Sequence, residues 1–263
     1  MQKSVTAKIA AMATIGIAGA AYATVSDING FEDVPRLFND FPSSTLNFNS
    51  NYSPSIGSLS VQESNYGSGN FANRHAACFA DAPGGPGTDF DYGDGFTFKT
   101  TLQVNQADNV GNVEAGFQVD LFGLGFFGAL TGPGEIAAFG GPLPFHTFGT
   151  GIYNVGDEVV LRMSYIPGGG EGDDLNPSVM VYEYNNLTTA SGWVSSGPVA
   201  FGNLEFGLPS GANPGKFGVG AQINQPDAAL GAVDFAFTGT MIPAPASMGV
   251  LLGASLIAGR RRR

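Results

Sequence analysis

The 263-residue chain holds one cysteine, Cys78, and two histidines, His75 and His146. A single cysteine excludes an internal disulfide, and its apolar setting, Ala76-Ala77-Cys78-Phe79-Ala80, makes it a small buried hydrophobe rather than a reactive thiol. Histidines 71 positions apart, with no second cysteine, offer no zinc-ligand spacing. Charged residues make up only 13% of the chain. There is no Gly-x-Ser-x-Gly elbow and no phosphate loop. Between Thr24 and Met241 no amphipathic helix exceeds two turns. These absences leave little room for a zinc enzyme, a serine hydrolase, a P-loop nucleotide enzyme or a helical bundle.

What is abundant is glycine, 40 residues, and phenylalanine, 21. Aromatics with period-2 alternation and frequent tight turns spell antiparallel strands. Alternation is visible in Thr45 to Asn49, Ser58 to Glu63, Gly95 to Val104 and Val113 to Phe122. It recurs through Val159, Leu161, Met163 and Tyr165, in Val179 to Tyr184, through Phe217, Val219, Ala221 and Ile223, and through Val233, Phe235 and Phe237. Turn clusters separate the runs at Ala82 to Gly87, Thr131 to Gly134, Pro167 to Gly170 and Pro209 to Gly211. About a dozen strands over some 200 residues predict an all-β, antiparallel two-sheet sandwich or jelly roll across residues 24–241. A solenoid is the alternative, and the lack of an internal repeat counts against it.

The strand order resembles the concanavalin A-like lectin/glucanase jelly roll. The carrying segments are Ser58 to Glu63, Arg74 to Phe79, Gly95 to Phe98, Val113 to Asp120, Gly156 to Arg162 and Val233 to Gly239. The resemblance implies a late strand returning beside an early one, and a body suited to carbohydrate. Hydrolysis on that fold uses a Glu-x-Asp-x-x-Glu strand, which is absent here. Glu114, Glu135 and Glu183 stand as isolated acids and read as solvated strand residues.

The two ends differ from the body. Lys3 and Lys8 precede an apolar stretch from Ile9 to Ala20, and Ala21-Tyr22-Ala23 is a small-x-small cleavage site, so residues 1–23 read as a signal peptide. A buried N-terminal helix is the alternative. At the other end, Pro243-Ala244-Pro245 leads into the apolar run Ala246 to Gly259 and then Arg260, Arg261, Arg262 and Arg263. A helix of 14 residues is about 21 Å long, short of the roughly 30 Å hydrocarbon core. The arginines hold their end cytoplasmic and place the body across the membrane.

Residues 242–263 resemble the PEP-CTERM sorting signal, with Ala244 where that family has glutamate. The resemblance implies export through a translocon, cutting by an exosortase-type enzyme near Pro243-Ala244-Pro245, and transfer from a transient membrane anchor to the cell surface or extracellular matrix. An unprocessed C-terminal anchor is the alternative. With the two signals set aside, the body keeps 5 basic residues against 22 acidic, a balance of −17. Such a surface repels nucleic acid.

Two ligand sites are readable in the body. Asp89, Asp91 and Asp94, with Gly93 and Gly95 for sharp bends, could wrap Ca²⁺, or form an Asp/Gly hairpin turn. Trp193, Tyr182 and Tyr184, with Tyr153, are candidates for stacking a sugar ring, or are core rings. Three functions follow. The first is a structural or adhesive surface component, and the second a module for extracellular polysaccharide, with or without Ca²⁺. The third is a secreted glycoside hydrolase, which the missing carboxylate strand disfavours. No catalytic residues are assigned.

Overall fold

A computed structural model describes residues 28–53, 56–90, 95–106, 112–120, 124–141, 143–166, 168, 177–200, 215–224 and 233–241. All regular structure among them is strand. In chain order the strands are β1 (Gly30–Asn39), β2 (Thr45–Ser53), β3 (Ile56–Ser64), β4 (Ala72–Ala80) and β5 (Asp89–Phe90). Then come β6 (Phe96–Gln106), β7 (Val113–Asp120), β8 (Leu124–Leu130), β9 (Glu135–Phe139) and β10 (His146–Thr147). The last five are β11 (Glu158–Ile166), β12 (Val179–Asn186), β13 (Val194–Ala200), β14 (Gly215–Asn224) and β15 (Val233–Met241). Among these residues no helix is long and apolar enough to cross a membrane. The signal-peptide and sorting-signal residues lie outside the described part of the chain.

The strands form two antiparallel sheets. One runs β1-β4-β14-β7-β8-β9-β10, with β5 paired to β14; the other runs β13-β12-β11-β6-β15-β3-β2. The two late strands therefore return to the middle of the sheets, β14 between β4 and β7, and β15 between β3 and β6. The expected sandwich is present, and each of the eight sequence-read alternations falls on a strand, with Leu121 and Phe122 of the fourth outside the described residues.

The sheets pack face to face through phenylalanine. On β6, Phe96, Phe98, Leu102 and Val104 point inward while Thr97, Lys99, Thr101 and Gln103 point outward. Phe98 sits at the centre, its ring centroid 4.7 Å from Phe79 of β4, 5.7 Å from Phe217 of β14 and 4.6 Å from Phe96. Phe127 of β8 meets Tyr182 of β12 at 4.9 Å. These offset ring contacts add to the area they bury. They supply the cohesion that a disulfide would otherwise give.

Strand β4 shows no polar face, because all nine of its residues are buried. Asn73, His75, Ala77 and Phe79 face the second sheet, whereas Arg74, Ala76 and Cys78 face outward. Cys78 is buried as expected, but on the outer face of its sheet and not between the sheets. Pro35 is tolerated because β1 is an edge strand with a register shift between Val34 and Phe38.

A polar cluster lies inside one end of the sandwich. The fully buried Glu63 carboxylate accepts from Ser44 Oγ (2.5 Å), Asn73 Nδ2 (2.6 Å) and Arg36 Nη1 (3.1 Å), and it faces His75 Nε2 at 2.8 Å. His75 Nδ1 faces the Pro35 carbonyl. Both ring nitrogens thus lie within hydrogen-bond distance of an oxygen. The cluster ties β1, β3 and β4 together and accounts for the buried histidine without a metal.

Candidate functional site

The outer face of the first sheet carries a lane of small residues between larger ones, a trough whose floor residues are all buried within the chain. Its floor is set by register: Ala76 of β4 lies opposite Gly220 of β14, Gly220 opposite Gly116 of β7, Gly116 opposite Gly128 of β8, and Gly128 opposite Ala137 of β9. Five strands at about 4.8 Å spacing give a floor about 19 Å long, running across the strands. The small residues are required. A Cβ on Gly116 would lie 2.2 Å from the Phe127 carbonyl oxygen, and one on Gly220 would lie 2.2 Å from that of His75.

Two rows flank the floor, of larger side chains except at Gly218. One row is Arg74, Gln222, Glu114, Leu130 and Glu135. The other is Cys78, Gly218, Gln118, Phe126 and Phe139, with the last two rings 5.2 Å apart. Arg74 and Gln118 join the rows diagonally across Gly220, Arg74 Nε donating to Gln118 Oε1 at 3.0 Å. A Cβ on Gly220 would meet Gln118 Nε2 at 2.8 Å, so glycine there lets the bridge lie on the sheet.

Gln118 is the informative residue. Because Arg74 Nε can only donate, the amide oxygen must face it, which fixes the orientation of the amide. Its Nε2 is then left buried with no acceptor among the described residues. Gln118 is 4% exposed and Arg74 6%, yet both point away from the core. A buried amide N–H without a partner costs about 1–3 kcal/mol, and a ligand oxygen would recover it.

Glu114 closes the polar end. It accepts from Asn224 Nδ2 (2.5 Å) and Asn112 Nδ2 (3.4 Å). Burial pushes its carboxyl above the ordinary value, against the opposing pull of the Asn224 hydrogen bond and the Arg74 charge. It is thus not the solvated strand acid that the sequence suggests. Glu135 stands at the rim and accepts from Thr147 Oγ1. At the opposite side, Lys216 Nζ pairs with Glu32 at 3.3 Å.

The aromatic candidates divide. Trp193 is 44% exposed, on the outer face of the second sheet beside Arg162. Tyr182 and Tyr184 are corrected: both point between the sheets and are buried, so neither ring has a face for a sugar. The Tyr182 hydroxyl donates to the Pro144 carbonyl at 3.0 Å, and burial holds it well above the usual phenol range. Tyr184 packs on Phe148 at 4.9 Å. Tyr153 is also buried, accepts from the Val104 N–H, and is pushed up to about 12 by burial. Period-2 alternation correctly sets Tyr182 and Tyr184 on one face, but that face is the core.

Asp91 and Asp94 lie outside the described residues, and Asp89 begins β5, whose backbone pairs with Lys216 of β14. Among the described residues no cluster of three acidic, histidine or cysteine side chains is placed to hold a metal ion. Glu183 is not a free solvent-facing acid, since Arg162 grips it with two hydrogen bonds. Sequence reading did not find Arg74, Gln118 or the glycine floor. Their positions come from strands far apart in sequence, Arg74 and Gln222 being 148 residues apart.

No protein-family model and no curated protein sequence matches the chain. Among solved structures, one similar to it is a lectin UEA-II complexed with galactose, at 12% identity over 79% of this chain and 96% of that one, with a TM-score of 0.39. A Lotus tetragonolobus seed lectin aligns at 10% identity over 82% of this chain and 100% of that one, with a TM-score of 0.37. A family 7 alginate lyase in complex with substrate aligns at 12% identity over 74% and 83%, with a TM-score of 0.41. Scores below 0.5 assign the chain to no family and carry no activity to it.

Proposed function

We propose that this is an exported adhesive protein of the cell surface or extracellular matrix, whose body holds a polysaccharide chain in the trough. The observation that carries the reading is the buried, partnerless Nε2 of Gln118 on a floor of small residues. A polyhydroxylated chain supplies acceptor oxygens along its length, and its sugar units repeat at close to the spacing of strands. The chain it holds is neutral. The body carries a balance of −17, and Arg36, Arg162 and Lys216 are each paired with a glutamate, which leaves a poor surface for a polyanion.

The route outward is read from the termini. The Ala21–Ala23 site supports passage through an export translocon. Pro243-Ala244-Pro245, the apolar run and the four arginines support sorting by an exosortase-type enzyme. Intact-mass measurement of protein taken from the cell surface tests this. A mass lacking both Met1 to Ala23 and the Arg260 to Arg263 end is expected, and a mass retaining both overturns it.

Binding is tested on a glycan array with the full chain, in Ca²⁺ and in chelator, beside a Gln118→Leu variant. The wild type is expected to hold a linear neutral polysaccharide in both buffers, and the variant to bind at least tenfold more weakly. Binding that vanishes in chelator would move the contact to the Asp89, Asp91, Asp94 loop. No binding to any glycan would leave a purely structural protein.

One feature favours a hydrolase instead. Glu114 and Glu135 share a row of the trough, two strand spacings apart, and burial raises the first of them, as a general acid requires. Release of reducing ends by the wild type, abolished in Glu114→Gln, would replace the binding reading with that one.

A further inference from the structure

We infer that Trp193 is the platform of a second saccharide contact, on the opposite face of the sandwich from the trough, so that one molecule bridges two polysaccharide chains. The inference rests on the trough reading for its first contact. Its own observations are separate. Val194 packs against the core and pairs with Tyr184, which turns the neighbouring Trp193 outward. Arg162 points the same way, between the inward Leu161 and Met163. Its guanidinium carbon lies 4.3 Å from the centroid of the Trp193 ring.

That guanidinium is itself fixed. Nε and Nη2 donate to the two oxygens of Glu183 at 2.5 and 2.7 Å, the fork geometry that holds an arginine rigid. Glu183 lies directly across from Arg162 in the β11–β12 register. Arg162 therefore lies over one face of the indole and sets its orientation, while the residue as a whole stays 44% exposed. A ring ordered before binding loses little freedom when a ligand arrives.

The surroundings select the kind of ligand. Lys99 lies opposite Arg162 on one side, and Ser195 lies opposite Glu183 on the other. An aromatic anchor for a protein partner sits in a water-excluding apolar surround. Trp193 instead sits beside the Arg162–Glu183 ion pair, with the exposed Ser195 two residues along the chain. A pyranose matches that pattern, because it lays a C–H face on the ring and turns its hydroxyls to the edge. Two outer faces, with two sheets about 10 Å apart between them, keep a chain in the trough from reaching the indole directly. Each face then takes a different chain, and valence replaces affinity as the source of strength.

The test mixes the full chain with a soluble neutral polysaccharide that it binds in sedimentation, and follows light scattering against protein ratio. Wild type is expected to build scattering to a maximum and lose it in protein excess. Trp193→Ala is expected to co-sediment within twofold of wild type with an unchanged melting temperature, and to lose scattering by at least fivefold. Trp193→Phe is expected to restore part of it. Bound wild type that raises no scattering overturns the inference, as does Trp193→Ala that scatters like wild type, since the ring would then serve another partner. Failure of wild type to co-sediment at all identifies a failure of the trough reading instead.

Discussion

His75 Nε2 lies 2.8 Å from Glu63 Oε2, and both side chains are fully buried. Burial pushes the Glu63 carboxyl up, but the hydrogen bond and charge of His75, with the hydrogen bonds of Ser44 and Asn73, outweigh it and hold the group below its ordinary value. A lowered carboxyl stabilises the fold above the unfolded-state value and loses that contribution as pH falls through the folded one.

Glu63→Ala should cost about 3–5 kcal/mol at neutral pH, because it strands His75, Arg36 and Asn73 without their acceptor. Urea unfolding of both proteins from pH 7 to pH 3 checks this. The gap between them should narrow below about pH 4.3, where the unfolded carboxyl takes up its proton. A gap that is constant with pH would mean that the carboxylate charge is not what stabilises the cluster.

Glu114 should behave in the opposite sense. Its raised carboxyl favours the protonated form in the fold, so its contribution is lost as pH rises. Glu114→Gln keeps an acceptor for Asn224 and removes the charge. The variant should be more stable than wild type at pH 8 and equal to it at pH 4. A variant less stable at pH 8 would show that Arg74 needs the carboxylate.

Gly220→Ala tests the trough floor. Its Cβ would fall 2.2 Å from the His75 carbonyl oxygen and 2.8 Å from Gln118 Nε2. Overpacking of this kind costs about 1–3 kcal/mol. The melting temperature should fall, and polysaccharide binding should weaken further than stability alone explains, because the Arg74–Gln118 bridge can no longer lie flat. Unchanged melting and binding together would show that the sheet accommodates the methyl group freely.

Phe98→Ala should cost about 3–5 kcal/mol, since it empties the centre of the ring cluster formed with Phe79, Phe96 and Phe217. Chemical denaturation measures it. A cost below 1 kcal/mol would mean that the facing sheets close over the gap.

Half-buried strands were the legible part of the fold. Phe96, Phe98, Leu102 and Val104 alternate with Thr97, Lys99, Thr101 and Gln103, and a period of two is visible without partners. Strand β4 shows no alternation because all nine of its residues are buried, and Arg74 to Phe79 was legible only through the order of segments in the resemblance. Alternation also does not say which face is the core, which is why Tyr182 and Tyr184 looked available. Of the four candidate rings only Trp193 is exposed, being next to the inward Val194. The trough was illegible for a further reason. Ala76, Gly116, Gly128, Ala137 and Gly220 become one floor only through inter-strand register, and each glycine alone reads as a turn or a weak strand position.

The side-chain amide of Gln118 offers the sharpest probe of saccharide binding in the trough. With the protein labelled in nitrogen-15, its NH₂ signals can be followed while a fragment of the bound polysaccharide is titrated in. Binding in the trough moves those signals along one saturating curve with the affinity found on the array, and Gln118→Leu removes both the signals and the affinity. Saturable binding that leaves the Gln118 amide unmoved would contradict it.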